Sequence, residues 1–442
     1  MKLRFAWNAL VALALGVGTA GAQSALAPVI PSTPAADVLR AWLDAFNSGD
    51  SARMSAYYLR YQPDRSLPVE LSFREQTGGF DLVDIERSEP RRIEFIAKDR
   101  AGRNTAYGAF DLSASQPPTA TFSIVGLGPN VSPSALRIDA ATRARVIDIS
   151  IGELERHYVF PDVAKRLGDS LRTRRARGAY DSYDNGVSFA LKLTSDLREI
   201  GHDKHLWMTY SASQFAGIML QSPSRATPPA DAPRTMGAGG ANCGVVKTDT
   251  LPGNVGYLEL RLFADPEICG ASVSSAMSAL ADTRALVVDL RNNGGGSPDM
   301  VAHLASYLVS RRTHLNDLWT RRTGKTQQFW TRDDIPGRKF GGEKPVFVLT
   351  SSRTFSAAEE FAYDLAAINR ATIVGETTGG GAHPVNRHRI DDHFTLAVPV
   401  ARAINPITHT NWEGVGVEPN VKVPAADALE MAQRLARAAE RP

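Results

Sequence analysis

The chain has 442 residues, 43% of them hydrophobic and 22% charged, with a formal net charge of +3. This length suits two or three domains, and the composition is that of an ordinary globular protein. A balance so near neutral gives no reason to expect nucleic acid or another polyanion as the partner.

The N-terminus carries Lys2 and Arg4, then the mostly apolar AWNALVALALGVG, then small residues ending at Ala22. That order predicts a secretory signal peptide over residues 1–22. A membrane anchor is the bland alternative, but the apolar run is shorter than the roughly 20 residues of a spanning helix and Asn8 interrupts it. No later segment is apolar enough to span a bilayer, so an exported, periplasmic or secreted chain is expected. In an oxidising compartment Cys243 and Cys269 can pair. Two separate buried thiols are the alternative.

A linker, residues 23–33, contains PVIPSTP. In ADVLRAWLDAFNSGD, Val38, Leu39, Trp42, Leu43 and Phe46 share one helical face and Gly49 stops the helix. ARMSAYYLRY reads as a second helix. The period then changes: RRIEFIAKD and NTAYGAFDLS alternate around AGR as a hairpin, and TATFSIVGLG adds a strand. Residues 34–128 thus read as a small α+β domain, and its pattern resembles the NTF2-like fold. GLGPNVSPSA reads as a linker. Residues 135–202 give three helices broken at Pro161 and at GAYDSYDNG. Their RTRRARG run reads as a solvated helix face rather than a polyanion patch.

From residue 203 to 442 strands and helices alternate: NVGYLELRLF, GASVSSAMSALADT, ALVVDLR, SPDMVAHLASYLVS, KPVFVLT, SAAEEFAYDLAAI and ATIVGE. That alternation predicts a sheet covered by helices. Arg311 to Gly342 is polar and is expected to be a loop or flap. ADALEMAQRLARAAE closes the chain as an amphipathic helix.

Four stretches carry candidate chemistry. In SSRTFSAAEEFAYDL, Ser356 stands where a buried strand becomes a helix. A helix cap explains it blandly; a nucleophile whose oxyanion faces helix N–H groups is the functional reading. RNNGGGSPD puts Gly294 to Gly296 at a strand exit, as a tight turn or as oxyanion donors. In GHDKHLWMTY, His202 and His205 are three apart, without a third ligand for a metal. In NPITHTNWEGVGVEPNV, Glu413 beside Trp412 is either a solvated acid or a carboxylate orienting a histidine. GETTGGGAHPV reads as a loop beside a site, with Glu376 structural.

Taken in this order, DLRNNGGG, TSSRTFSAAEEFAY, DKHL and NWEGVGVEPNV resemble the motifs of the tail-specific, or C-terminal processing, protease family (peptidase family S41), in the branch of the tricorn core and the interphotoreceptor retinoid-binding protein. The resemblance spans residues 135–425. It implies an α/β, crotonase-like core after a helical module of the kind found in bacterial retinoid-binding-protein homologues. It implies Ser356 as nucleophile, His205 as general base, Glu413 as supporting carboxylate, and Ala357 with Gly294 or Gly295 as oxyanion donors. Gly381 stands where another branch has a catalytic lysine, so a serine–lysine mechanism is disfavoured. Lys204 replaces the relay serine of the tricorn site, which leaves the Glu413–His205 link open. The Tyr210–Leu251 interval is too short for a substrate-selecting PDZ domain of roughly 80–90 residues. The expectation is an exported serine peptidase acting on peptide or unfolded protein, with no cofactor or metal. The alternatives are a carrier of an apolar ligand and an acyl-CoA enzyme, for which no basic phosphate-binding loop is evident.

Overall fold

The computed structural model describes residues 28–63, 65, 67–213 and 242–438. The expected signal peptide, the start of the linker and most of the Tyr210–Leu251 interval lie outside these residues. The chain forms two compact units, divided between Pro133 and Ser134.

The first unit packs α1 (Pro34–Ser48), α2 (Ser51–Tyr61) and α3 (Leu67–Thr77) with an antiparallel sheet of β1 (Phe80–Glu89), β2 (Arg92–Asp99), β3 (Thr105–Leu112) and β4 (Ala120–Gly128), in the order 1-2-3-4. Thr33 caps α1 by accepting the Ala36 N–H, Pro34 opens it, and Gly49 at φ 68° ends it. Fully buried Trp42 from α1 meets Phe80, Phe95, Phe110 and Phe122 of the sheet, with centroids 4.8–6.0 Å away. Truncating such a residue costs about 3–5 kcal/mol. α3 and β1 were not evident in the sequence. Asp84 and Glu86 break the apolar run of β1, and bulges interrupt its pairing with β2.

In the second unit, α4 (Ala140–His157), α5 (Pro161–Ala176) and α6 (Gly186–Gly201) form the expected helical module. The arginine run on α5 is a paired helix surface: Arg172 meets Glu155 and Asp169, Arg174 meets Asp196 and Glu199, and Arg175 meets Asp148. Then follow β5 (Trp207–Tyr210), β6 (Val245–Leu251), β7 (Val255–Leu260), α7 (Pro266–Leu280), β8 (Ala285–Asp289), α8 (Pro298–Ala305), β9 (His314–Thr320), β10 (Lys325–Trp330) and β11 (Val346–Thr350). The chain closes with α9 (Ala357–Ala367), β12 (Thr372–Gly375), β13 (Val385–Arg389), β14 (Phe394–Pro399), β15 (Ala401–Ile404), β16 (Val421–Lys422) and α10 (Ala428–Ala438).

A six-stranded sheet runs β16-β12-β11-β8-β7-β6, parallel except for the edge pair β6–β7. Both faces are covered. Leu286 and Val288 of β8 and Val346 and Val348 of β11 join the core with α7, α8 and α9. Val287, Phe347 and Leu349 point the other way, against Ala428, Ala432 and Ala436 of α10. This is why the central strands read as unbroken apolar runs. Cys243 and Cys269 are joined by a disulfide, which ties the start of β6 to α7.

The expected loop over Arg311 to Gly342 is instead built around a hairpin, β9–β10, extended by β15 into a three-stranded sheet. β10 reads KTQQFW, and its first four residues are solvent-exposed. A strand polar on both faces carries no alternation to detect. A third sheet, β13-β14-β5, lies beside the helical module and carries the DKHL stretch on the chain leading into β5.

Candidate active site

β8 and β11 are parallel neighbours with Val288 opposite Val348, so their exit loops meet at the carboxyl edge of the sheet. Open α/β sheets carry their ligand crevices at this edge. Hydroxyls of the 351–356 stretch sew the two loops together. Ser351 Oγ donates to the Arg291 carbonyl at 2.5 Å, and Thr354 Oγ1 donates to that of Leu290 at 2.8 Å. The Phe355 N–H donates to the Asn293 carbonyl at 3.0 Å.

Ser356 follows directly at φ 56°, ψ −123°, a conformation that disfavours any residue with a Cβ. It is the N-cap of α9 and pairs with Glu359 in a capping-box arrangement: its N–H donates to Glu359 Oε2 at 2.8 Å. The Glu359 N–H donates to the Ser356 carbonyl at 2.8 Å.

The glycine run abuts this turn. A Cβ on Gly295 (φ 109°) would lie 2.7 Å from Ser356 Cβ and 3.1 Å from the Ala357 nitrogen, so only glycine fits. The Gly295 N–H is already given to Asn293 Oδ1 at 2.9 Å. The N–H groups of Gly294 and Ala357 have no hydrogen-bond partner among the described residues. Of the three expected oxyanion donors, these two have their N–H open.

His202 ends α6 at φ 51° and is solvent-exposed, away from any expected role. His205 is buried, and its ring stacks on Phe355, the neighbour of Ser356, at 4.6 Å. Its N–H donates to Asp203 Oδ1 at 2.9 Å, which fixes the backbone under the ring. Burial pushes the imidazole down to about 4, against the opposing pull of Asp203. The ring is therefore neutral at pH 7. No hydrogen bond joins it to Ser356 among the described residues. Lys204 is turned outward, with Nζ 2.5 Å from the Gly379 carbonyl.

Glu413 approaches from the chain before β16. Its Oε2 accepts the Ala382 N–H at 2.5 Å and lies 3.4 Å from His383 Nδ1. One polar atom each of Asp203, His205 and Glu413 lies within 4.8 Å of the others. His205 Nδ1 and Glu413 Oε1 are both buried without a partner. Burial, then the Asp203 carboxylate, pushes Glu413 up to about 7.

Further residues surround this group. Asp203 Oδ2 accepts from the Tyr158 hydroxyl at 3.1 Å and lies 2.8 Å from His383 Nδ1. Glu359, fully buried, accepts from Ser356 N–H, Gly380 N–H, Gly381 N–H and Thr378 Oγ1, and so binds the glycine loop to the Ser356 turn. A Cβ on Gly381 would lie 2.3 Å from Phe355 Cζ and 2.5 Å from His205 Cε1. The space a lysine would need is filled by the histidine. Glu376 is structural, accepting from the Ser352 and Ala425 N–H groups.

The family model described as peptidase family S41 matches residues 254–423, and that described as the N-terminal domain of peptidase S41 in eukaryotic IRBP matches residues 141–238. The chain belongs to peptidase family S41. Among S41 relatives, it is 29% identical over 175 residues to a carboxyl-terminal-processing protease of Synechocystis sp., covering 39% of each chain. It is 24% identical over 199 residues to a carboxy-terminal processing protease of Bacillus subtilis, covering 42% of this chain and 41% of that one. The chain thus spans about two fifths of the length of these curated relatives. Similar solved structures include a photosystem II D1 C-terminal processing protease (TM-score 0.33, 28% identity, 41% of this chain and 46% of that one) and a lipoprotein from Streptococcus agalactiae (TM-score 0.43, 16% identity, 67% and 96%).

Proposed function

We propose that this S41 chain is an exported serine peptidase that hydrolyses peptide or unfolded-protein substrates through an acyl-enzyme on Ser356. The observation that carries this reading is the paired need of two buried atoms. His205 Nδ1 and Glu413 Oε1 both lack a partner, near a serine held at φ 56° at the start of α9. One His205–Glu413 hydrogen bond would satisfy both and leave Nε2 to face the serine. Such contacts are often loose without substrate and tighten in the complex.

In this mechanism Ser356 Oγ attacks the scissile carbonyl carbon and its proton passes to His205. The C=O electron pair moves onto oxygen, where the Gly294 and Ala357 N–H groups stabilise it. The tetrahedral species collapses, the C–N bond breaks, and the leaving amine takes the proton from His205. Water then attacks the acyl ester by the same route and regenerates Ser356. Glu413 and Asp203 hold negative charge near the imidazolium that forms in each half-reaction. The strand order and two-sided cover support a crotonase-like core, and the three helices on a four-stranded antiparallel sheet support an NTF2-like first unit. The N-terminal residue pattern and the Cys243–Cys269 bridge support export. No helix among the described residues is long and apolar enough to cross a membrane.

The test is turnover of an unstructured peptide library by folded variants. Wild type and His202→Ala cleave, Ser356→Ala and His205→Ala do not, and Glu413→Ala is intermediate. Full activity in Ser356→Ala removes the assignment. Wild type that cleaves nothing but binds an apolar ligand establishes the carrier instead.

A further inference from the structure

The last turn of α4 reads ELERH, and its four-residue spacing places Glu153 and His157 on one helical face. β13 brings His388 against them. Glu153 Oε2 lies 2.7 Å from His388 Nδ1 and 3.5 Å from His157 Nε2. The two imidazole rings are 4.5 Å apart, centroid to centroid. One donor atom of each residue lies within 4.8 Å of the others, and all three side chains are only partly buried, so small solutes reach them. His388 Nε2 is buried without a hydrogen-bond partner, and the ring's polar contact is the one from Nδ1 to Glu153.

We propose that Glu153, His157 and His388 form a binding site for a divalent transition metal, Zn(II) by its donor set, which clamps α4 to β13. Two imidazole nitrogens and one carboxylate oxygen are ligands that Zn(II) takes, with further positions left to water. Two ligands at about 2.05 Å and a tetrahedral angle stand about 3.3 Å apart. The separations of 2.7 and 3.5 Å bracket that figure, so the cation replaces the Glu153–His388 contact with only a turn of the rings. The guanidinium of Arg156 holds the other oxygen of Glu153 and stays as an outer partner. The arginines flanking His388 are engaged elsewhere: Arg387 lies over the Trp207 ring and Arg389 pairs with Asp392. Calcium and magnesium prefer all-oxygen sites and are poor fits.

The clamp would brace both segments that hold the buried Asp203–His383–Glu413 group. His157 precedes Tyr158, whose hydroxyl reaches Asp203, and Phe160 packs edge-on against His383, 5.4 Å between centroids. β13 begins two residues after His383. The metal site itself stands independently of the peptidase reading.

Untagged protein stripped with a chelator is titrated with Zn(II), reading heat and thermal unfolding, and with Co(II), reading visible absorption. One equivalent should bind, raise the unfolding temperature and, for Co(II), give the bands of a nitrogen–oxygen site. His388→Asn and His157→Gln should each weaken binding by more than about tenfold, a loss typical even of an outer-shell partner. His157 lies on the helix surface, so that variant keeps its fold. His205→Ala should bind as wild type does, which separates this cluster from Asp203, His205 and Glu413. Absence of Zn(II) binding in wild type, or binding unchanged in both ligand variants, overturns the site and leaves an imidazole–carboxylate cluster only.

Discussion

Replacing Ser356 by glycine should stabilise the fold while abolishing hydrolysis. Ser356 sits at φ 56°, ψ −123°. A residue with a Cβ in such a region costs about 1–3 kcal/mol, and glycine adopts it freely. Glycine gives back about 0.5–1 kcal/mol through the greater freedom of the unfolded chain. The net gain should be about 1 kcal/mol, or about 2 °C in Tm for a unit of this size. Ser356→Ala is the control, since alanine keeps the Cβ and the strain and loses only the hydroxyl. Urea unfolding of the two inactive variants compares them directly. At an ordinary helix cap or helix position glycine is no better than alanine by more than the cap's own small preference. A glycine variant less stable than the alanine variant would refute the claim that strain is held at this serine.

Glu413 should control the pH dependence. Its folded proton affinity lies at about 7 against an ordinary 4.5, so its stabilising share is complete below about 4.5 and is lost as pH rises through about 7. At 1.36 kcal/mol per tenfold change in affinity, that loss is about 3 kcal/mol. Glu413→Gln cannot ionise. Denaturation should show it gaining on wild type between pH 5 and pH 8, and the limb of kcat/KM that rises near pH 7 in wild type should disappear from its profile. Gly381→Ala should lower kcat by more than about tenfold and stability by about 1–3 kcal/mol, because its methyl overlaps Phe355 and His205; kinetics and melting together check this. His383→Gln should shift the midpoint of the same kcat/KM limb, with KM little changed, because His383 Nδ1 contacts both Asp203 and Glu413; an unmoved midpoint would reduce it to packing.

Much of the site was legible because its chemistry is local in sequence. DLRNNGGG and SSRTFSAAEE each join a buried strand to a turn whose residue types are dictated by backbone geometry. Glu359 could have been found as well, since Ser356-Ala-Ala-Glu359 is a capping-box spacing. What spacing could not convey was that the same carboxylate also takes two N–H groups of the 379–381 loop. His383 and Tyr158 were invisible because their partner Asp203 is 180 and 45 residues away. The Glu153–His157 pair carries no signal alone, because its third member is brought by β13. The β9–β10 hairpin looks like a loop in the sequence because a strand solvated on both faces has no hydrophobic period. The disulfide was open in sequence, where the cysteine count allowed but did not require it.

The proposed chemistry stands on Ser356 as the nucleophile and His205 as its base. Its most direct test is to treat the purified protein with a fluorophosphonate probe and locate the modified residue by peptide mass spectrometry. A nucleophilic Ser356 gives a single adduct in wild type, none in Ser356→Ala, and labelling slowed by more than about a hundredfold in His205→Ala, the loss expected of a missing general base. An adduct on another serine, or labelling of Ser356 that is indifferent to His205, would contradict it.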